Sequence, residues 1–163
     1  IRKSLGCSWI EVDNKVHVFT EDDTSHPQIK EIYIKLEEMM KKIEDIGRYI
    51  CIVSYARRSH KYHSEKLAFA FGLLSLPSWM PIQVMNNLHV CNDCHLVIKL
   101  LSLVTSRELI IRDGYQFHHF KDGFCSFETT GSLVYTLFFS IFASSRVAFD
   151  LYLFPSQHPV FII

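Results

Sequence analysis

Three residues that bind zinc well stand in one stretch of this chain: His63 and, 91 − 63 = 28 positions later, Cys91 together with Cys94. An imidazole and two thiolates fill three corners of a tetrahedron and leave the fourth for a water, which separates a catalytic zinc from a closed structural one. Glu65, two places after His63, is then a carboxylate beside the metal that does not ligate it. A glutamate so placed can take a proton from the water and return it to a leaving group.

Zinc deaminases use this pairing of His-x-Glu with Cys-x-x-Cys, although the proline that usually precedes the first cysteine is Val90 here. Three other readings compete. A lone Cys-x-x-Cys also serves as a redox pair, and Cys91 to His95 fits a c-type haem attachment. A purely structural zinc would take His95 or His89 as its fourth ligand. The redox reading lacks a thioredoxin-like setting, and the haem reading leaves His63 and Glu65 unexplained. A second group, Phe117-His118-His119-Phe120 with Cys125 and with His95 as a further member, could hold another ion or be ordinary core and hairpin histidines.

Side chains two apart in a regular helix do not share a face, so His63 and Glu65 address one ion only near a helix start. The pattern predicts such a start at His63, with a helix through Leu67 to Phe71 that ends before Gly72. Cys91 and Cys94 fall where an apolar strand, Pro81 to Val90, gives way to a helix, Cys94 to Val104. Free N–H groups and the positive helix end favour thiolates at such a junction.

Upstream, Cys7 to Val12, an Asp13-Asn14 turn and Lys15 to Thr20 read as a β-hairpin with Val16 and Val18 on one face and His17 and Phe19 on the other. Ser25 is a candidate cap and Pro27 a first-turn residue for a helix to about Ile46. Ile29, Ile32, Tyr33, Leu36, Met39, Met40, Ile43 and Ile46 follow a helical period, so the methionines read as core. Ile50 to Val53 could be a short strand, and Arg57, Arg58, His60 and Lys61 form a basic cluster read as a solvated loop. Downstream, Leu109 to Arg112 and Tyr115 to Phe120 flank Asp113-Gly114 as a second hairpin, and Lys121-Asp122-Gly123 turns again into Phe124-Cys125-Ser126.

The whole chain has 163 residues, enough for one domain with an extension. Lysine plus arginine equals aspartate plus glutamate, 17 each, so bulk charge does not draw it to nucleic acid. Five cysteines are neither dense nor even enough for a secreted disulfide scaffold. Beginning at Ile1, the sequence reads as a piece of a longer protein. From Glu128 on, only Glu128, Arg146 and Asp150 are formally charged; this apolar stretch is marginal as a membrane span, so a membrane partner is not expected.

Taken together, Gly6-Cys7-Ser8-Trp9-Ile10-Glu11-Val12, Val16-His17-Val18-Phe19, Ser25-His26-Pro27, Tyr62-His63-Ser64-Glu65-Lys66-Leu67-Ala68, Cys91-Asn92-Asp93-Cys94-His95 and Phe117-His118-His119-Phe120-Lys121-Asp122-Gly123 resemble the DYW deaminase domain of plant pentatricopeptide-repeat (PPR) proteins. The resemblance implies a mixed α/β (α+β) fold, a cytidine-deaminase-like sheet with packed helices, preceded by a β-hairpin and a helix. It divides the chain into a leading hairpin and helix of the PG-box and E+ type (1–47), a zinc deaminase core (48–127) and an apolar extension foreign to the family (128–163). It further implies a catalytic Zn2+ at His63, Cys91 and Cys94, with Glu65 as proton shuttle in C-to-U editing. Single-stranded RNA rather than DNA is then the substrate, upstream PPR repeats or other editing factors choose the target, and the place is a mitochondrion or chloroplast. A second, structural zinc would fall to His95, His118 and Cys125, but the family's Cys-x-Cys reads Cys125-Ser126-Phe127 here, which removes one expected ligand. The family's closing Asp-Tyr-Trp is likewise replaced, and the segment between Gly47 and His63 is shorter than usual. The alternative expectation is therefore a catalytically impaired remnant, a zinc-stabilised interaction domain in an editing complex.

Overall fold

Asp13 and Asn14 both take positive φ, 53° and 59°, the two-residue turn whose twist matches that of paired strands. In the computed structural model, which describes residues 6–47 and 62–126, this turn joins β1 (Cys7–Val12) to β2 (Lys15–Thr20). Cross-strand pairs put Trp9 opposite Val18 and Ile10 opposite His17. As the alternation predicts, Val16 and Val18 face water while Phe19 is buried.

Helix α1 (Ile29–Gly47) starts two residues after Pro27. Ser25 is not its cap, because the Ser25 backbone N–H and hydroxyl both donate to Asp23 Oδ1, at 2.7 and 2.6 Å. The apolar stripe behaves as the period requires up to Ile43: Ile32, Leu36, Met39 and Ile43 are buried and Met40 packs at their edge, whereas Ile46 is exposed. The Gln28 N–H donates to His26 Nδ1 at 3.1 Å, so in the neutral ring Nε2 carries the proton and donates to His17 Nδ1, 2.9 Å away. Hairpin and helix are thereby tied together over Phe71, whose ring lies 4.5 Å from His17 and 4.9 Å from His26.

Helix α2 (Ser64–Ser75) runs through Gly72 instead of ending before it. A Cβ at Gly72 would sit 2.5 Å from Ile82 Cγ2 and 2.9 Å from Ile10 Cδ1, so this glycine lets the helix lie close on the sheet rather than stopping it. The chain then crosses into β3 (Ile82–Asn86), α3 (Asn92–Thr105), β4 (Leu109–Arg112), β5 (Phe117–Lys121) and the short β6 (Phe124–Cys125). Asp122 and Gly123, with φ of 50° and 79°, make the last turn.

The described strands form one mixed sheet in the order β2-β1-β3-β4-β5-β6. Only β3 and β4 are parallel, with α3 as their crossover; the other neighbours are antiparallel. Helix α2 packs on β1, β2 and β3, α3 on β5 and β6, and α1 lies across both helices. Ile10, Val84, Ile111 and Phe120 from the sheet meet Leu67, Phe69, Val97 and Ile98 from the helices in one core. This is the mixed α+β, cytidine-deaminase-like arrangement that the sequence leads one to expect. The strand expected at Ile50 to Val53, the basic cluster and the extension 128–163 lie outside the described residues. Among the described residues, no helix is long and apolar enough to cross a membrane.

Candidate metal centre

Two helix starts converge at the site. His63 is the N-cap of α2 and Cys91 the N-cap of α3, both with extended ψ (147° and 155°). Cys91 caps with its sulfur, which accepts the Cys94 backbone N–H at 3.3 Å. A Cys-x-x-Cys at a helix start thus uses an otherwise unsatisfied N–H and the positive end of the helix to support negative sulfur.

His63 Nδ1 lies 3.1 Å from Cys94 Sγ and 3.5 Å from Cys91 Sγ. Zinc at about 2.3 Å from sulfur and about 2.0 Å from nitrogen, with tetrahedral angles, sets those atoms about 3.5 Å apart. One imidazole nitrogen and two sulfurs at this spacing are therefore a donor set that fits zinc, and Nδ1 is the atom of His63 that faces it. The other nitrogen, Nε2, is 3.8 Å from Glu21 Oε1.

Hydrogen bonding sets the electrostatics of the trio. Cys91 is lowered to about 3, first by the Cys94 thiol that donates to it, against its burial, and further by the His63 ring and the Cys94 N–H. Cys94 is pushed up because it is that donor, because it is buried and because the Glu65 carboxylate is near. His63 is raised, chiefly by the Cys91 sulfur beside it.

Glu65 is buried at 6% exposure, and Ser64 Oγ donates to its Oε2 at 3.2 Å. A second hydroxyl stands behind the first: Ser8 Oγ is 2.9 Å from Ser64 Oγ. Ser64 has one hydroxyl proton and gives it to Glu65, so Ser8 donates to Ser64. A strand residue outside the His63 to Cys94 stretch therefore orients the carboxylate. The sequence gives no sign of this contact.

The sequence likewise gives no sign that Lys66 and Asp93 pair. Lys66 Nζ meets Asp93 Oδ2 at 2.7 Å with side chains only 1% and 9% exposed. The residue after Glu65 is thus clasped to the residue before Cys94, which joins the two helix starts.

The second group gathers selectively. His95, His118 and Cys125 bring ligand atoms within 4.8 Å of one another. His118 and His119 point to opposite faces of β5, as neighbours in a strand do; His118 is buried, whereas His119 pairs with Glu108. The His118 ring sits 5.2 Å from His95. Its Nε2 is 3.4 Å from the fully buried Asp113 carboxylate. That spacing matches the way a carboxylate orients a ligand histidine through its other nitrogen.

A mixed sheet carrying two helix N-termini, with an imidazole, two cysteines and a buried glutamate between them, is the architecture of a cytidine-deaminase-like domain. The chain belongs to the DYW family of nucleic acid deaminases, which matches residues 38–130, and an E+ motif matches residues 16–43. Among similar proteins of Arabidopsis thaliana, pentatricopeptide repeat-containing protein At2g22070 is 45% identical over 134 residues, 77% of this chain and 17% of that protein. The mitochondrial pentatricopeptide repeat-containing protein At3g24000 is 45% identical over 77% of this chain and 21% of its own length. The chloroplastic/mitochondrial At1g59720 is 47% identical over the same share of the chain and 21% of its own length. The chain thus spans about a fifth of the length of these relatives.

Proposed function

We propose that this chain is the zinc-dependent cytidine deaminase domain of an organellar RNA-editing protein, with residues 1–47 leading into a core at 48–127. The convergence of His63 Nδ1 with both cysteine sulfurs carries the reading, beside a buried glutamate whose carboxylate is held by Ser64. Zinc on these ligands supplies the Lewis acidity that activates a water for addition at C4 of cytosine.

The chain's own residues do the rest. Glu65 accepts the proton of that water, delivers it to N3 of the ring and carries a further proton to the departing ammonia, leaving uridine. Ser64 fixes one carboxylate oxygen during both transfers. Lys66 and Asp93 hold the two helix starts at the spacing the ligands need, and helix α3 supports negative charge on Cys91. Upstream PPR repeats select the RNA, in keeping with a net charge of zero. Two relatives' names carry mitochondrial and chloroplastic/mitochondrial locations, which supports an organellar setting.

The test joins the full chain to PPR repeats of known RNA preference and sequences the target RNA for C-to-U conversion. Conversion by the parent and none by Glu65→Ala is the expected result. Conversion that survives Glu65→Ala overturns the assignment of the proton carrier. Zinc bound without conversion by the parent favours the non-catalytic remnant.

A further inference from the structure

We propose that His89 and Tyr115 form a ledge beside the metal centre on which a nucleobase flanking the reacting cytidine stacks; this rests on the function proposed above. Tyr115 is 83% exposed, the highest value among the large apolar side chains of the described residues. It is nevertheless held on a fixed loop. The Tyr115 and Gln116 N–H groups both donate to Asp113 Oδ1 at 2.9 Å, and the Asp113 N–H returns a bond to Gln116 O at 3.0 Å.

Asp113 fastens the other side of the ledge as well. Its Oδ2 accepts His89 Nδ1 at 2.8 Å and the Val90 N–H at 3.3 Å. The loop leading into Cys91 is thus locked to the loop that carries Tyr115. His89 lies two positions before Cys91, so its Cα is at most about 7 Å from that of the proposed ligand. The Tyr115 ring stands 5.6 Å from the His89 ring at 84°, so the two rings make a near-perpendicular corner. The His89 Nδ1 faces the carboxylate, and the side chain is 61% exposed.

An aromatic face held in water by a rigid loop suits an unpaired base, since every base has a π-face to stack. The charge of the rim agrees. Residues 86–90 and 112–118 contain one acidic side chain, the buried Asp113, and one exposed guanidinium, Arg112, 5.4 Å over Phe117. A single strand whose cytidine enters the metal centre would pass this corner with a neighbouring base.

The experiment titrates the full 163-residue chain into a short single-stranded RNA with one cytidine and 2-aminopurine on its 5′ side, its 3′ side or several nucleotides away. Stacking should quench the probe at one flanking position and leave the distant probe unchanged. Tyr115→Ala should abolish that quenching and weaken binding about ten-fold, the order expected of one base–aromatic stack. Tyr115→Phe should keep both, and Trp79→Ala, a substitution at another exposed aromatic side chain (77%), should change neither. Equal quenching and affinity in Tyr115→Ala and the parent overturns the ledge, and so does an RNA that the parent does not bind. Loss of deamination in Glu65→Ala alongside an unaltered Tyr115→Ala would overturn the ledge and leave the proposed function standing. A ledge that instead recognises a protein would appear as unchanged RNA binding in Tyr115→Ala.

Discussion

Ser8 on β1 donates its hydroxyl to Ser64 at 2.9 Å, across 56 positions of sequence and with both side chains buried. Ser64 passes the bond on to the Glu65 carboxylate, so the N-terminal hairpin helps to set the direction of the carboxylate proposed to carry the proton. A neutral hydrogen bond is worth about 1 kcal/mol, which is about five-fold in rate if it acts only in the transition state. Ser8→Ala should therefore lower kcat about five-fold with little change in KM, and Ser8→Thr should restore most of it. Zinc content should stay at the parent level. A Ser8→Ala protein that changes KM alone would show that the hydroxyl does not act through Glu65.

Lys66 and Asp93 face each other at 2.7 Å almost without solvent. Removing one member of such a pair strands a buried charge and costs about 3–5 kcal/mol. Lys66→Met should lower the stability of the domain by that order in urea unfolding. The double variant Lys66→Met/Asp93→Leu should recover a large part of the loss, since neither charge is then buried alone. If the single and double variants unfold alike, the pair is not coupled.

The turns and the meeting of the candidate ligands are legible in the sequence, and the long-range contacts are not. Asp13-Asn14 and Asp122-Gly123 need positive φ, and those residue types advertise it locally. The convergence of His63, Cys91 and Cys94 is legible because zinc chemistry restricts residue type and because ligands so spaced demand helix starts. Gly72 reads as a terminator in the sequence, yet α2 runs through it. A glycine inside a helix carries the same letter whether it ends the helix or admits a neighbouring strand, and only Ile82 and Ile10 at its surface decide between them. The start of α1 departs from the sequence pattern for a similar reason, as Ser25 spends its hydroxyl on Asp23. Ser8, the Lys66–Asp93 pair and the Asp113 hub depend on which strands become neighbours, and no local periodicity encodes that.

Asp23 provides an acid-sensitive fastening in the turn between the hairpin and α1. Burial pushes its carboxyl up, but the Ser25 hydroxyl, the Ser25 and Thr20 N–H groups and nearby His26 more than offset this and hold it below the ordinary value. A carboxyl lowered on folding contributes stability that is present above its unfolded pKa and is lost as pH falls through its folded one. Urea midpoints should accordingly fall for the parent as pH drops below about 4, and more shallowly for Asp23→Asn. Parallel profiles for the two proteins would remove Asp23 as the cause.

The two side-chain clusters should release zinc in a fixed order. His63, Cys91 and Cys94 offer two thiolates, with Cys91 already lowered to about 3 and supported by the start of α3. His95, His118 and Cys125 offer a single thiolate and two imidazoles, so they place less negative charge on the ion. Metal affinity rises with soft, anionic donors; a chelator raised stepwise should strip the second cluster first. Cys125→Ser should then lose only the early-released ion, whereas Cys91→Ser loses the late one. Following released zinc with a metal-sensitive dye, alongside thermal unfolding, separates the two events. Each loss should lower Tm, because a ligand that binds only the folded chain stabilises it by mass action. Early release in Cys125→Ser, or late release in Cys91→Ser, would reverse the assignment of the tighter site.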